Sequence, residues 1–265
     1  MKIKQRYIYP LLMGMLILIF YFYEEGFFRT KKQIPPGATS NAIFYLPTST
    51  TNQIVYHDFY ALSYSEPHEQ AEWVAYELKK NHLSDADRDR PYFNEDPKVG
   101  TGSADWRNYK NSGYDRGHLC PAGDRRFSIE AYNETFYTSN VSPMLRGFNG
   151  GIWNKLEIQT RNWAYMYNGV YVVTGGILTK SEKAIGYEGV TVPSYFYKIV
   201  LNNRKGVFRL IAFLLPHEES NRPLEDYVVS VDTIEEMTGI DFFYNLPDDQ
   251  EEPAESTIRI EDWNM

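Results

Sequence analysis

The sequence predicts a mixed α and β domain, with strands in the centre and helices on the faces, behind an apolar N-terminal segment. Three observations lead there. Twenty-two tyrosines and 15 phenylalanines among 265 residues favour strands and half-buried surfaces. Apolar runs over 195–201 and 207–215 flank Asn202-Asn203-Arg204-Lys205-Gly206, a hairpin signal. After Asn149, residues Trp153, Leu156, Thr160 and Trp163 recur at helical spacing and mark the inner face of an amphipathic helix.

From the start of the chain, Lys2, Lys4 and Arg6 precede an apolar run from Tyr7 to Tyr23, about 17 residues and at the short end of a bilayer span. Basic residues on the near side put the N-terminus in the cytoplasm. Glu24-Glu25-Gly26-Phe27 is a poor cleavage site. The expectation is an uncleaved signal anchor, a transmembrane helix within 1–25, carrying an extracytoplasmic domain. Cleavage would leave a secreted or periplasmic protein. Residues 26–41, with Pro35-Pro36-Gly37, read as a linker. Residues 42–250 form the globular domain and 251–265 an acidic tail, with order expected to fade after Pro247.

Within the domain, Ile54 to Ser63 reads as a strand. Ser65-Glu66-Pro67 reads as a helix start, and Ala71, Val74, Ala75 and Leu78 follow at helical spacing. Residues 81–113 carry Pro91, Pro97, Gly100 and Gly113 and read as a long loop of the kind that bears function. Val170 to Thr174 is a β-branched run ended by Gly175-Gly176, and Ser230 caps a short helix that Gly239 ends. The alternation makes a layered mixed fold.

Charge and cysteine content exclude some chemistries. A formal net charge of -8 argues at face value against a nucleic-acid partner. The acid, however, gathers in Asp248, Asp249, Glu251, Glu252, Glu255, Glu261 and Asp262, whereas Arg116, Arg125, Arg126 and Arg146 lie around one polar motif. A single cysteine, Cys120, rules out an intramolecular disulfide and a zinc site built on cysteine pairs. His57, His68, His82 and His217 lack metal-ligand spacing and read as surface or core histidines. No Gly-Lys-Ser/Thr follows the glycines at 147, 150 and 151, so they are not a nucleotide phosphate loop.

The motif begins at Tyr114-Asp115-Arg116-Gly117-His118. It continues with Ser139-Asn140-Val141-Ser142-Pro143 and ends with Phe148-Asn149-Gly150-Gly151-Ile152-Trp153-Asn154-Lys155-Leu156-Glu157. Hydrolysis of a phosphodiester needs a base for water, a cation at the phosphate and in-line attack. His118 suits the base, since neutral imidazole is available near pH 7. Asn149 stands at a helix start, where it either caps the helix or offers an amide oxygen to Mg²⁺, an ion that accepts few protein ligands. Glu157, two turns on, either holds a metal-bound water or is an exposed helix charge. Cys120 offers a rival: on a strand it would share a face with His118 and form a nucleophile–base pair.

These residues resemble the DNA/RNA non-specific endonuclease family of the ββα-metal (His-Me finger), endonuclease G-like type. The pattern Asp-Arg-Gly-His, Ser-Asn-x-x-Pro and Asn-x-x-x-Trp-x-x-Leu-Glu occurs in order, and similar segments extend from about Ile54 to Asp249. Cys120-Pro121 and Met144 depart from it, where Ala-Pro and glutamine are common. The resemblance implies an α+β fold: a central antiparallel sheet flanked by helices, with a hairpin and helix at the metal site. It also implies His118 as general base, Asn149 as the protein ligand of Mg²⁺ (Mn²⁺ as substitute), and Glu157 as holder of a metal-bound water. Asn140 becomes a supporting hydrogen-bonder, and Arg90 and Arg116 neutralise phosphate. The expected function is sugar-non-specific cleavage of DNA and RNA to 5′-phosphate and 3′-hydroxyl ends, at a membrane, with homodimerisation left open. The alternatives are an inactive nucleic-acid-binding or envelope interaction domain, and a phosphodiesterase for small or lipid-linked substrates.

Overall fold

Long aromatic and β-branched runs pair into one antiparallel sheet of seven strands. In chain order these are β1 (Ile54–Tyr56), β2 (Ala61–Ser65), β3 (Gln70–Lys79), β6 (Gly169–Gly176), β9 (Tyr195–Arg204), β10 (Val207–Pro216) and β11 (Val228–Val229). They lie side by side in that same order. A separate two-stranded ladder joins β4 (Asp115–His118) to β5 (Val141–Met144), and a short one joins β7 (Ala184–Ile185) to β8 (Val190–Thr191). The computed structural model describes residues 45–179, 183–204 and 206–265. The expected anchor and linker over 1–41 lie outside them. Among the described residues no helix is long and apolar enough to cross a membrane.

Each face of the sheet has its own core. On one face Val74, Tyr76, Leu78, Val172, Val200 and Phe213 meet Trp153, Leu156, Trp163 and Ala164, most of them from helix α2 (Asn154–Tyr167). The inner face expected for this helix is therefore the buried one. On the other face Trp73, Ala75, Val173, Ile199 and Ala212 meet Val231, Ile234, Phe242 and Phe243. Val231 and Ile234 belong to α3 (Val231–Thr238), which Ser230 caps through Thr233 N–H and Gly239 ends at φ 68°. A third cluster, with Phe93, Tyr109, Phe136, Val141 and Val190, underlies β4 and β5. Helix α1 (Ile129–Glu134) adds Tyr132 to it.

Three expectations are corrected. The strand expected over 54–63 is two strands, turned where His57 N–H donates to Tyr60 O at 2.9 Å. The helix expected after Ser65 is a single 3₁₀ turn, Glu66–His68, which Glu69 ends at φ 52°. The chain then runs into β3, paired on both edges, to β2 and β6. Because both faces of β3 are covered, its apolar residues do not alternate with polar ones, and their spacing mimics a helix. Its buried polar group Glu72 is held by Ser63 Oγ at 2.6 Å and Thr50 N–H at 3.0 Å. The hairpin of β9 and β10 runs as expected, from Tyr195↔Pro216 to Arg204↔Val207.

The third correction concerns the acidic tail. It forms α4 (Asp248–Ser256) and a further turn, Ile260–Asp262. Trp263 then enters the core 4.8 Å from Trp163 and 5.6 Å from Tyr167. Trp163 Nε1 and Gln159 Nε2 both donate to Asn264 O, at 2.9 and 2.6 Å. Apolar anchors at 254, 263 and 265 outweigh the solvation of the intervening charges. Trp263→Ala is expected to cost about 3–5 kcal/mol, read as a lower urea midpoint. A midpoint equal to that of the parent chain would contradict the packing.

Candidate active site

The site is built on β4, β5 and the helix that follows. The register pairs His118 with Val141 and Arg116 with Pro143. Ser142 Oγ donates to Gln70 Oε1, and Gln70 Nε2 donates to Thr191 O, both at 2.6 Å. These bonds tie the ladder to β3 and β8. A Cβ on Gly117 would lie 2.1 Å from Met144 Sδ, so close packing of the two strands requires glycine there. Met144 is fully buried, and its departure from glutamine belongs to this packing.

Asn140 is fully buried and acts on the backbone. Its Nδ2 donates to Cys120 O at 3.0 Å and to Thr135 O at 2.9 Å, while its Oδ1 accepts Cys120 N–H at 2.8 Å. Leu119 N–H donates to Asn140 O at 2.9 Å. The side chain thus fixes the chain just beyond His118.

His118, Arg116 and Arg90 converge on one aromatic pair. Phe93 and Phe136 lie 5.1 Å apart, and the His118 ring is 5.4 and 5.1 Å from them. The Arg116 guanidinium sits 4.9 Å over Phe93, and that of Arg90 5.6 Å from both rings. Burial, then Arg90, then Arg116, pull the His118 pKa down to about 3. The ring is therefore neutral over the ordinary pH range. Its Nε2 is screened from solvent and has no hydrogen-bond partner among the described residues, and the same holds for Arg116 Nε.

After β5 the chain makes a helical turn, Arg146–Phe148, and a wider π turn, Asn149–Trp153, before entering α2. Asn149 N–H donates to Leu145 O at 2.8 Å, so its backbone is helical. It caps nothing with its side chain. That half-buried carboxamide makes no hydrogen bond among the described residues, which leaves its oxygen available to a hard cation. His217 holds this turn: its ring accepts Leu145 N–H at Nε2 and donates from Nδ1 to Pro193 O, both at 2.8 Å. It also stands edge-on to Phe148 and Phe196. Nothing in the spacing of the histidines marks this role.

Glu157 is not an exposed helix charge. It lies among buried groups, where burial raises its pKa, Lys198 and Arg161 oppose the rise and Asp124 adds to it. Lys198 is fully buried 4.6 Å from the Trp153 ring, and burial lowers its pKa. Asp124 accepts from Arg161 at 2.8 Å and from Tyr76 at 3.0 Å. Nothing in the sequence signals this interior network.

Two sequence readings are corrected here. Arg125 is not part of a basic surface: it is fully buried and donates to Phe59 O, Glu77 O and Asp124 O. Cys120 lies beyond the end of β4 and is fully buried. Burial pushes its thiol up to about 12, which removes the nucleophile from the rival pair. The remaining histidines are structural: His57 bonds Asp96 at 2.8 Å in the core, His68 bonds Thr191 Oγ1 at 2.9 Å, and His82 stacks on Phe127.

The chain matches the family model described as DNA/RNA non-specific endonuclease over residues 37–249. It is 35% identical to the mitochondrial nuclease EXOG of Homo sapiens, over 82% of this chain and 64% of the relative. It is 33% identical to the mitochondrial endonuclease G of Homo sapiens, over 73% of this chain and 70% of that protein. Nuclease C1 of Cunninghamella echinulata var. echinulata is 32% identical over 74% of this chain and 85% of its own length. In structure, the chain is similar to the crystallised EndoG/EndoGI complex, with a TM-score of 0.75, 26% identity, and coverage of 83% of this chain and 96% of that one.

Two measurements follow from the site's electrostatics. The carbon-bound ring protons of His118 should show no titration between pH 5 and 8 by NMR; a midpoint near 6.5 would contradict the desolvated site. Cys120 should stay unreactive toward a disulfide reagent at pH 8 until the chain is unfolded, and rapid labelling of the native protein would restore the nucleophile reading.

Proposed function

Because the chain belongs to the DNA/RNA non-specific endonuclease family, we propose that it is a metal-dependent endonuclease that hydrolyses the phosphodiester bonds of DNA and RNA. The observation that carries this reading is the desolvated His118 imidazole, flanked by Arg90 and Arg116, on the strand pair that leads to Asn149.

His118 takes a proton from the attacking water. Since Nε2 is screened, Nδ1 is the nitrogen left to meet that water. Water oxygen adds to phosphorus as the bond to the 3′ oxygen breaks, which leaves a 5′-phosphate and a 3′ oxygen that takes a proton from solvent water to become a hydroxyl. Arg90 and Arg116 hold the phosphate and offset the charge that builds on it. Asn149 would hold Mg²⁺, or Mn²⁺ in its place, and a bound ion would stabilise the leaving 3′ oxygen. Glu157 orders water near that ligand, and Asn140 positions His118 through the backbone. Contacts to phosphate rather than base edges make the cleavage indifferent to sequence and sugar.

The apolar segment within 1–25 and its basic flank support a location outside the cytoplasm, anchored or released. Membrane fractionation of the full chain, with and without that segment, tests this.

His118→Ala should lower the cleavage rate by about 10²–10⁴ with folding intact, and Asn149→Ala should remove metal-supported cleavage. Purified protein should nick plasmid DNA and degrade RNA with Mg²⁺, stop with chelator, and slow as salt rises. Binding of DNA without cleavage would favour the inactive domain. Cleavage of small phosphodiesters alone would favour the phosphodiesterase.

A further inference from the structure

The acidic stretch near the C-terminus has no role in the site above, yet it is folded. Helix α4 packs against the sheet face opposite α2, beside α3, since Ala254 joins the cluster of Val231 and Ile234. Where the two helices meet, Asp232 and Glu235 of α3 face Glu255 of α4. One carboxylate oxygen from each lies within 4.8 Å of the others.

Like charges so close repel, and among the described residues no Lys, Arg or His forms an ion pair with any of the three. Two more carboxylates, Glu251 and Asp241, add to the field at Glu255. Glu255 is only 7% exposed, and its Oε1 is screened from solvent with no hydrogen-bond partner among the described residues. A buried acceptor without a donor is costly. Glu235 does have one bond, from Phe242 N–H at 2.8 Å. The cluster therefore needs either a proton or a cation. Burial and the surrounding acids raise the Glu255 pKa to about 9, which is what crowding does when no cation is bound.

We propose that Asp232, Glu235 and Glu255 form a Ca²⁺ site that bolts α4 onto α3, separate from the catalytic metal. An all-carboxylate set selects a hard cation. Ca²⁺–oxygen distances of about 2.3–2.6 Å put the ligand oxygens of one ion no more than about 5 Å apart, as they are here. Ca²⁺ accepts irregular geometry and completes its shell with water, whereas Mg²⁺ demands a stricter octahedron. The ion would replace three mutual repulsions by attractions and satisfy the screened oxygen of Glu255.

The test is thermal unfolding of the full chain carrying Asn149→Ala, so that the catalytic ligand is absent, at pH 7.5 with chelator and with CaCl₂. At a hundredfold excess over Kd the melting temperature should rise by about 5 °C or more, with one Ca²⁺ bound by calorimetry. Adding Glu255→Gln or Asp232→Asn should abolish the rise. Either change without Ca²⁺ should leave the chain folded, because it removes a repelling charge. No Ca²⁺-dependent rise in the Asn149→Ala protein means that a shared proton holds the cluster and overturns the proposal. A rise that survives both added substitutions overturns it as well. Cleavage by the parent chain is read separately with Mg²⁺, so loss of that activity would not touch this result.

Discussion

The two strands that carry the site are consecutive in the chain and joined by one folded-back segment, and the carboxamide of Asn140 closes them. It saturates both backbone groups of Cys120 and the carbonyl of Thr135 in a fully buried place. Leaving such groups unsatisfied costs about 1–3 kcal/mol each. The direction of the chain beyond His118 follows from this clamp, and the aromatic pair beneath the ring follows from the same folded-back segment, since Phe136 lies just before it. His217 does for the Asn149 turn what Asn140 does for the His118 strand. It fixes the backbone by accepting one N–H and donating to one carbonyl.

The electrostatics separate into two zones. At the outer one, two guanidiniums and a neutral imidazole share an aromatic floor, a setting that favours an anion. Within, Glu157, Lys198, Asp124 and Arg161 offset one another beneath the helix. A protein of net charge -8 can thus present local positive charge at that floor, while the acid of α4 sits on the far face of the sheet. Local field, more than total charge, decides what such a surface attracts.

Much of this was legible in the sequence, for identifiable reasons. The Ser230-to-Gly239 helix carries its own stop signals, and the β9–β10 hairpin has a polar turn between apolar runs. The family resemblance implied the hairpin-and-helix site, and Arg90, Arg116 and His118 do meet at Phe93. The central strand β3 was misread because burial on both faces erases the two-residue period. Charge content hid the order of the C-terminal segment, whose fate is set by Trp263 and a few apolar residues rather than by its acids. The burial of Arg125 and Lys198 and the service of His217 depend on contacts between remote residues, which local patterns do not encode.

The sheet's neighbour order has a kinetic side. Val74 pairs with Thr174, about 100 residues on, so joining β3 to β6 closes a very long loop and forfeits much chain entropy before any contact rewards it. The segments bearing His118 and Asn149 lie inside that loop. Their ladder is tied through Ser142 to Gln70 at the head of β3, so the site leans on a strand whose far edge is secured only across that long closure, and any opening of the β3–β6 pair would loosen the site's support.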